Sequence, residues 1–207
     1  VTPGAERAEG EGRRVPGVAG LLLTGGASRR LGFEKALLRV DGDRLADRVA
    51  HALTQVVAPV IEVGPGYTSL PAVREDPPGT GPLLALAAGA DALAARGVRG
   101  PAVVLAVDLP GVDESFVEWL ASHPAHGTVV PVVEGVRQTL CARYGADALA
   151  AARGVAAAGG RALRTLLDAV LVHEADESEW GAVTGRATFV DVDTPDDVAA
   201  LGLEHPG

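Results

Sequence analysis

The sequence predicts a three-layer α/β/α domain wound around a mostly parallel sheet. Short apolar segments alternate with amphipathic ones from Val18 onward. The clearest apolar runs, residues 18–23 and 102–107, carry no polar alternation, as strands buried on both faces require. Aromatic residues make up only 3% of the chain, so its core is aliphatic and suits helices packed on a Val/Leu-rich sheet.

Each element follows from its local pattern. Residues 18–23 are the first strand. Residues 43–57 read as a helix with Leu45, Val49, Leu53, Val56 and Val57 on one side. Residues 60–63 are a second strand, closed by Gly64-Pro65-Gly66. An alanine-rich helix at 83–95 follows Gly79-Thr80-Gly81-Pro82, with Pro82 near its first turn. Residues 102–107 are the central strand, and Asp113 opens a helix over 113–121 as its N-cap. Residues 128–133 and 139–144 read as strands paired around Glu134-Gly135. Helices at 146–158 and 162–167 flank Gly159-Gly160. Strands at 170–173 and 188–192 and a helix at 195–201 close the chain. Residues 1–17 are polar, glycine-rich and charge-balanced, and read as a disordered tail without the hydrophobic centre of a signal peptide. Residues 18–207 read as one domain, because 207 residues suit a single core.

Composition removes several functions. A net charge of −9 opposes broad nucleic-acid binding, which needs a basic face. No run is long and apolar enough to span a bilayer. The single cysteine, Cys141, precludes an intrachain disulfide, fits a reducing cytoplasm, and reads as a small buried strand residue. His123 and His126 have a ligand-like spacing, but Pro124 breaks the helix that would align them, so they read as a solvated loop.

Chemistry concentrates at residues 21–35, where an apolar strand empties into Gly25-Gly26, then Ser28, Arg29, Arg30, Gly32 and Lys35. Glycines let backbone N–H groups approach an anion, and Arg29, Arg30 and Lys35 add cationic donors for phosphate oxygens. Together they describe a nucleoside triphosphate site at the carboxyl edge of a sheet. The Walker A pattern is absent, because Gly32 is followed by Phe33-Glu34, and the dinucleotide fingerprint fails because Gly25 and Gly26 are adjacent. Asp108 ends the central strand and enters the same crevice, where a carboxylate suits Mg²⁺.

The stretch from Leu23 to Lys35 resembles the L-[AT]-G-G-x-S-x-R-[ML]-G-x-[DE]-K signature of the molybdenum cofactor guanylyltransferases, the MobA-like nucleotidyltransferases, with Glu34 where Asp is commoner. Asp76 with Gly81-Pro82-Leu83 is similar to the family's D…GPLAG segment, which walls base and ribose; Leu84 replaces the small residue usual after it. Arg137-Gln138-Thr139-Leu140-Cys141 resembles a Q-P-L-C strand that faces the acceptor, with Thr139 for Pro. Asp191-Val192-Asp193-Thr194-Pro195 stands where the guanylyl family usually reads N-[IV]-N-T-P. Both asparagines are aspartates here, as is common in the cytidylyl relatives, whereas Thr24-Gly25-Gly26 matches the guanylyl branch.

The resemblance implies a Rossmann-like nucleotidyltransferase fold and Mg²⁺-dependent transfer of GMP from GTP to the phosphate of molybdopterin, with release of pyrophosphate. It implies Arg30, Lys35 and Asp108 as catalytic residues, and Leu23, Thr24, Gly25, Gly26, Ser28, Lys35, Asp76, Gly81, Pro82 and Asp108 as nucleotide-binding. Asp108 is the expected metal ligand. Asp193 either adds a second carboxylate to the metal or repels an anionic acceptor. Arg137, Gln138, Asp191 and Asp193 would face that acceptor. Cytidylyl transfer to molybdopterin, nucleotidyl transfer to another small phosphorylated acceptor, and a non-enzymatic nucleotide-binding subunit are the alternatives. The expectation is a cytoplasmic monomer or weak homo-oligomer that engages neither membrane nor nucleic acid.

Overall fold

The apolar run after Val18 forms β1 (Ala19–Leu23), buried throughout. It leads through a 3-10 turn at Lys35–Leu37 and a small hairpin of β2 (Arg39–Val40) and β3 (Asp43–Arg44) into α1 (Leu45–Val56). Next come β4 (Val60–Val63), β5 (Ala72–Val73), α2 (Pro82–Ala95), β6 (Ala102–Ala106) and α3 (Glu114–Ser122). β7 (Thr128–Val133), β8 (Val136–Arg137), β9 (Cys141–Tyr144) and α4 (Ala146–Ala157) follow. α5 (Leu163–Leu167), β10 (Val172–Ala175), α6 (Glu177–Trp180) and α7 (Pro195–Ala200) complete the chain. This computed structural model describes residues 14–25, 31 and 33–205.

The main sheet runs β10-β7-β9-β6-β1-β4-β5, with β8 paired to β7. β6, β1, β4 and β5 are mutually parallel, and β9 runs antiparallel to both β6 and β7. Side chains alternate across the sheet as strand geometry demands. Leu22, Val103 and Leu105 join the core under α1 and α3, whereas Leu21, Leu23 and Val104 join the core under α2, α4 and α5. The expected three layers are therefore present.

Several boundaries differ from the sequence expectation, each for a physical reason. Residues 188–192 form no strand: the chain makes a 3-10 turn at Arg186–Phe189, and Val192 N–H donates to the Asp108 carbonyl (3.1 Å). β6 already has β1 and β9 on its two edges, so no ladder is open there. Glu134-Gly135, both at positive φ, turn β7 into β8 rather than into residues 139–144. Only Cys141–Tyr144 of that segment is extended, inserted between β6 and β7. The late strand expected at 170–173 lies at Val172–Ala175.

The tail boundary expected at residue 17 falls too late. Val15 N–H donates to the Val56 carbonyl (2.7 Å) and Arg14 Nε to the Thr54 carbonyl (3.2 Å), so both residues already rest on α1. His123 is not solvated either; its ring is 7% exposed beneath the end of α3. Among the described residues no helix is long and apolar enough to cross a membrane.

α2 packs on the sheet through Gly89. A Cβ there would lie 2.9 Å from both Leu21 methyls and from a Val63 methyl, all buried. We expect Gly89→Ala to destabilise the fold by about 1–3 kcal/mol despite alanine's better helix propensity, because overpacking a close-packed core outweighs it. Thermal melting checks this, and an unchanged melting temperature would contradict the close approach.

Candidate active site

The parallel strands end in register. Leu23 of β1 pairs with Ala106 of β6 and with Val63 of β4, and Val63 pairs with Val73 of β5. Residues two positions beyond these ends therefore emerge side by side. On β1 that residue is Gly25, on β6 Asp108, and on β5 Glu75. All three line one cavity of about 340 Å³, walled on its far side by Gly79, Gly81 and Pro82 at the start of α2. Ligands of open α/β sheets bind at this edge.

At the Asp108 end, the 3-10 turn brings Lys35 across the cavity mouth. Its ammonium donates to Asp108 Oδ2 at 2.9 Å and to Asp193 Oδ1 at 2.5 Å. Burial opposes the charge on Lys35, but the hydrogen bonds and charges of Asp193 and Asp108 outweigh it and raise its pKa. Asp191 belongs to the same group. Partial burial, then repulsion from Asp193 and Asp108, raises its pKa. The donor chemistry fits a divalent cation: Asp108 and Asp193, gathered on one ammonium, offer hard carboxylate oxygens.

At the other end the β1 turn is locked from beneath by Glu62. This glutamate is fully buried on β4. Its carboxylate accepts from Thr24 Oγ1 (2.6 Å), Gly66 N–H (2.9 Å), Tyr67 N–H (2.7 Å), Thr68 N–H (2.9 Å) and Thr68 Oγ1 (2.7 Å). Burial pushes its pKa up, but these donors more than reverse that, and the net shift is downward. Gly64 makes the arrangement possible. A Cβ there would sit 2.1 Å from Thr24 Oγ1.

Of the residues expected from sequence, Leu23, Thr24, Gly25, Lys35, Gly81, Pro82 and Asp108 line the cavity, and Asp193 touches it through Lys35. Gly26, Ser28 and Arg30 lie outside the described residues. Asp76 lines instead a second hollow with Arg74, Leu84 and Arg153, and Glu75 between them borders both. Arg137 and Gln138 also lie apart. Arg137 Nε donates to Glu174 (2.9 Å) and its Nη1 to Asp168 (3.2 Å), while Gln138 Nε2 donates to the Val136 carbonyl (3.2 Å). Glu62 and Glu75 were missed. A glutamate within the otherwise apolar run Val60–Val63 was the available signal for the first; the second was masked by its neighbour Asp76.

Elsewhere, His123, His173 and Glu179 converge with ligand atoms within 4.8 Å. Ala125 N–H donates to His123 Nδ1 (3.2 Å), so the neutral ring carries its proton on Nε2, facing Glu179 Oε2 at 3.2 Å. His173 Nε2 meets the same oxygen at 2.9 Å. The three side chains are joined through the one oxygen, Glu179 Oε2. Cys141 is buried too, and burial raises its thiol pKa far above the usual range, which leaves it inert.

Gly25 at the end of β1, a Gly/Pro-walled cavity and a Lys–Asp group at the carboxyl edge of a parallel sheet are what a nucleotide-binding α/β enzyme requires. The family model of the MobA-like NTP transferase domain matches residues 20–176. The chain belongs to that family and is a nucleotidyltransferase. It is 35% identical over 161 residues to a probable molybdenum cofactor guanylyltransferase of Mycobacterium tuberculosis, covering 73% of this chain and 80% of the relative. A relative of the same description from Chloroflexus aggregans is 30% identical over 194 residues, covering 87% of this chain and 91% of its own. Among solved structures, the molybdopterin-guanine dinucleotide biosynthesis protein A of Archaeoglobus fulgidus shares the fold, with a TM-score of 0.74 at 20% identity. That match covers 88% of this chain and 96% of that one.

Removing the charge at Glu62 tests the support beneath the turn. Its pKa is lowered on folding, so it stabilises the protein above the ordinary value near 4.5, and the contribution is lost as pH falls through the lower folded value. Glu62→Gln should cost about 2–4 kcal/mol at pH 7, because an amide cannot accept from all of these donors. The gap in melting temperature between native and variant should narrow below about pH 4.5. A gap that widens on acidification would contradict the assignment.

Proposed function

We propose that the protein transfers GMP from GTP to the terminal phosphate of molybdopterin, releasing pyrophosphate. The carrying observation is the placement of Lys35 and Asp108 at one end of a cavity whose other wall is the Gly79–Pro82 loop, supported by relatives named for this activity. The attacking phosphate oxygen is already an anion, so no general base is needed. The chain's task is to align donor and acceptor and to offset charge developing at the α-phosphate. Leu23 and Thr24 offer backbone groups to the base. Gly26 N–H, Ser28, Arg30 and Lys35 hold phosphate oxygens, whereas Gly25, whose own N–H donates to the Val63 carbonyl (3.3 Å), leaves room for the base.

Asp108, with Asp193, would hold Mg²⁺, which when bound supplies Lewis-acid neutralisation of phosphate charge. Lys35 keeps the carboxylates of Asp108 and Asp193 together. A cytidylyl reading draws on one observation, the aspartates at 191 and 193, and the same assay separates the two. The cytoplasm is the proposed compartment, since the only cysteine is buried and free.

Pyrophosphate release is measured with GTP and with CTP, each with and without molybdopterin. We expect release with GTP that depends on the acceptor; release with CTP alone would replace the guanylyl reading. Asp108→Asn should lower turnover by about a hundredfold or more while leaving the melting temperature within a few degrees, because charge stabilisation in a closed site is lost. Lys35→Ala should weaken triphosphate binding by about tenfold or more, as expected when a charge-assisted phosphate contact is removed, and titration calorimetry reads it directly. Native-like kinetics in either folded variant would remove that residue from the site.

A further inference from the structure

The nucleotide cavity contains a buried charge that the proposed function leaves unused. Glu75 follows β5 and is 7% exposed. Its Oε1 accepts from Gly79 N–H at 2.9 Å, which fixes the carboxylate against the loop that opens α2. Its Oε2 is buried and meets no hydrogen-bond partner among the described residues. A buried carboxylate oxygen without a donor is costly and marks a place prepared for one. The side chain reaches back over Gly64 to the β1 turn. Both carboxylate oxygens lie 3.8 Å from the position a Cβ would take at Gly25.

The ligand's polarity follows from charge. Phosphates are drawn to the Lys35 end and repelled by an anionic side chain, so Glu75 faces the base end of a bound nucleotide. There a carboxylate accepts only N–H or O–H donors. Guanine alone among the common bases presents two adjacent donors on one edge, the ring N1–H and the 2-amino group. Cytosine and adenine present an amino donor beside a ring-nitrogen lone pair, which a carboxylate repels. Oε2 and the lone pair left on Oε1 match the guanine pattern.

The geometry points to Glu75 as the residue that selects guanine, accepting N1–H and the 2-amino N–H through its carboxylate. The inference rests on the guanylyl reading and deepens it. It also assigns the base-reading role to Glu75, which lines this cavity, rather than to its neighbour Asp76, which lines only the second hollow that the two share.

The test is a chemical double-mutant cycle on the full chain with Mg²⁺. Titration calorimetry measures Kd for GTP, for ITP (which lacks only the 2-amino group) and for CTP, on native protein and on Glu75→Gln. The glutamine keeps an oxygen for Gly79 N–H but turns an amide donor toward the base. We expect native protein to favour GTP over ITP by about tenfold or more, the size of a hydrogen bond to a charged acceptor. In Glu75→Gln that ratio should collapse to within about threefold, and the GTP-over-CTP ratio should fall with it. Unchanged ratios in the folded variant overturn the assignment while the guanylyl reading stands. Native protein that binds CTP more tightly than GTP overturns the guanylyl reading itself. If Glu75→Gln fails to fold, equal native affinities for GTP and ITP still overturn the proposal. If 2′- or 3′-deoxy-GTP responds to the substitution but ITP does not, Glu75 reads the ribose, and the guanine assignment falls.

Discussion

The registered ends of β6, β1, β4 and β5 fix where every group of the site can lie. Because Leu23 pairs with both Ala106 and Val63, and Val63 with Val73, the chain leaves the sheet at one level on four strands. Alternation of side chains by two then sends Gly25, Asp108 and Glu75 into the same space. A one-residue slip of β6 would turn Asp108 toward a helix layer and put Val107 in its place. The aliphatic packing of Leu21, Leu22, Val103 and Val104 on both faces resists such a slip, since each position is fully buried in a distinct core. The hydrophobic interior, in this sense, sets the spacing of the polar site.

Two buried glutamates show opposite uses of the same chemistry. Glu62 is saturated: donors from Thr24 and from the 66–68 loop occupy its carboxylate, and its charge fastens the β1 turn to β4. Glu75 receives one donor and keeps an oxygen without a partner among the described residues. Saturation suits a structural charge, since a low-dielectric surrounding strengthens satisfied networks and penalises incomplete ones. An incomplete one beside a cavity is the pattern of a site that a ligand completes. Gly25 and Gly64 serve both, the first by leaving space above the turn and the second by letting Thr24 reach Glu62.

Much of this was legible from the chain. Uninterrupted apolar runs identified β1 and β6, a short apolar run closed by Gly64 identified β4, periodicity identified α1, the Asp113 N-cap identified α3, and the glycine loop with strand-end Asp108 pointed to the cavity edge. What escaped depends on long-range pairing. Nothing local announces that Cys141–Tyr144 runs antiparallel between two strands, because a buried strand reads alike in either direction. Residues 188–192 have strand-like composition yet find no open edge. Arg143, within β9, carries a charge whose partners no local pattern announces. Its buried guanidinium binds the carbonyls of Ala121, His123 and Ala125 and shapes the loop after α3. Asp76 drew attention by matching a motif, whereas its neighbour Glu75 is the one that lines the cavity, and a neighbouring pair of acids cannot be told apart without the backbone.

The aspartates at 191 and 193 had seemed to pull against a guanine-specific reading, since they depart from the asparagines usual in that branch. Their position separates the two questions. Asp193 is held by Lys35, and Asp191 feels the charges of Asp193 and Asp108, so both belong to the cationic and carboxylate end of the cavity. Glu75 and Gly79 belong to the β5 and α2 side of the cavity, with the Glu75 carboxylate reaching back only as far as the end of β1. Additional negative charge beside Asp108 bears on cation affinity and on approach of an anionic acceptor. Base choice rests on short hydrogen bonds, which act only at contact distance. The substitution of Asn by Asp can therefore retune the phosphate end while the base end keeps its own selectivity.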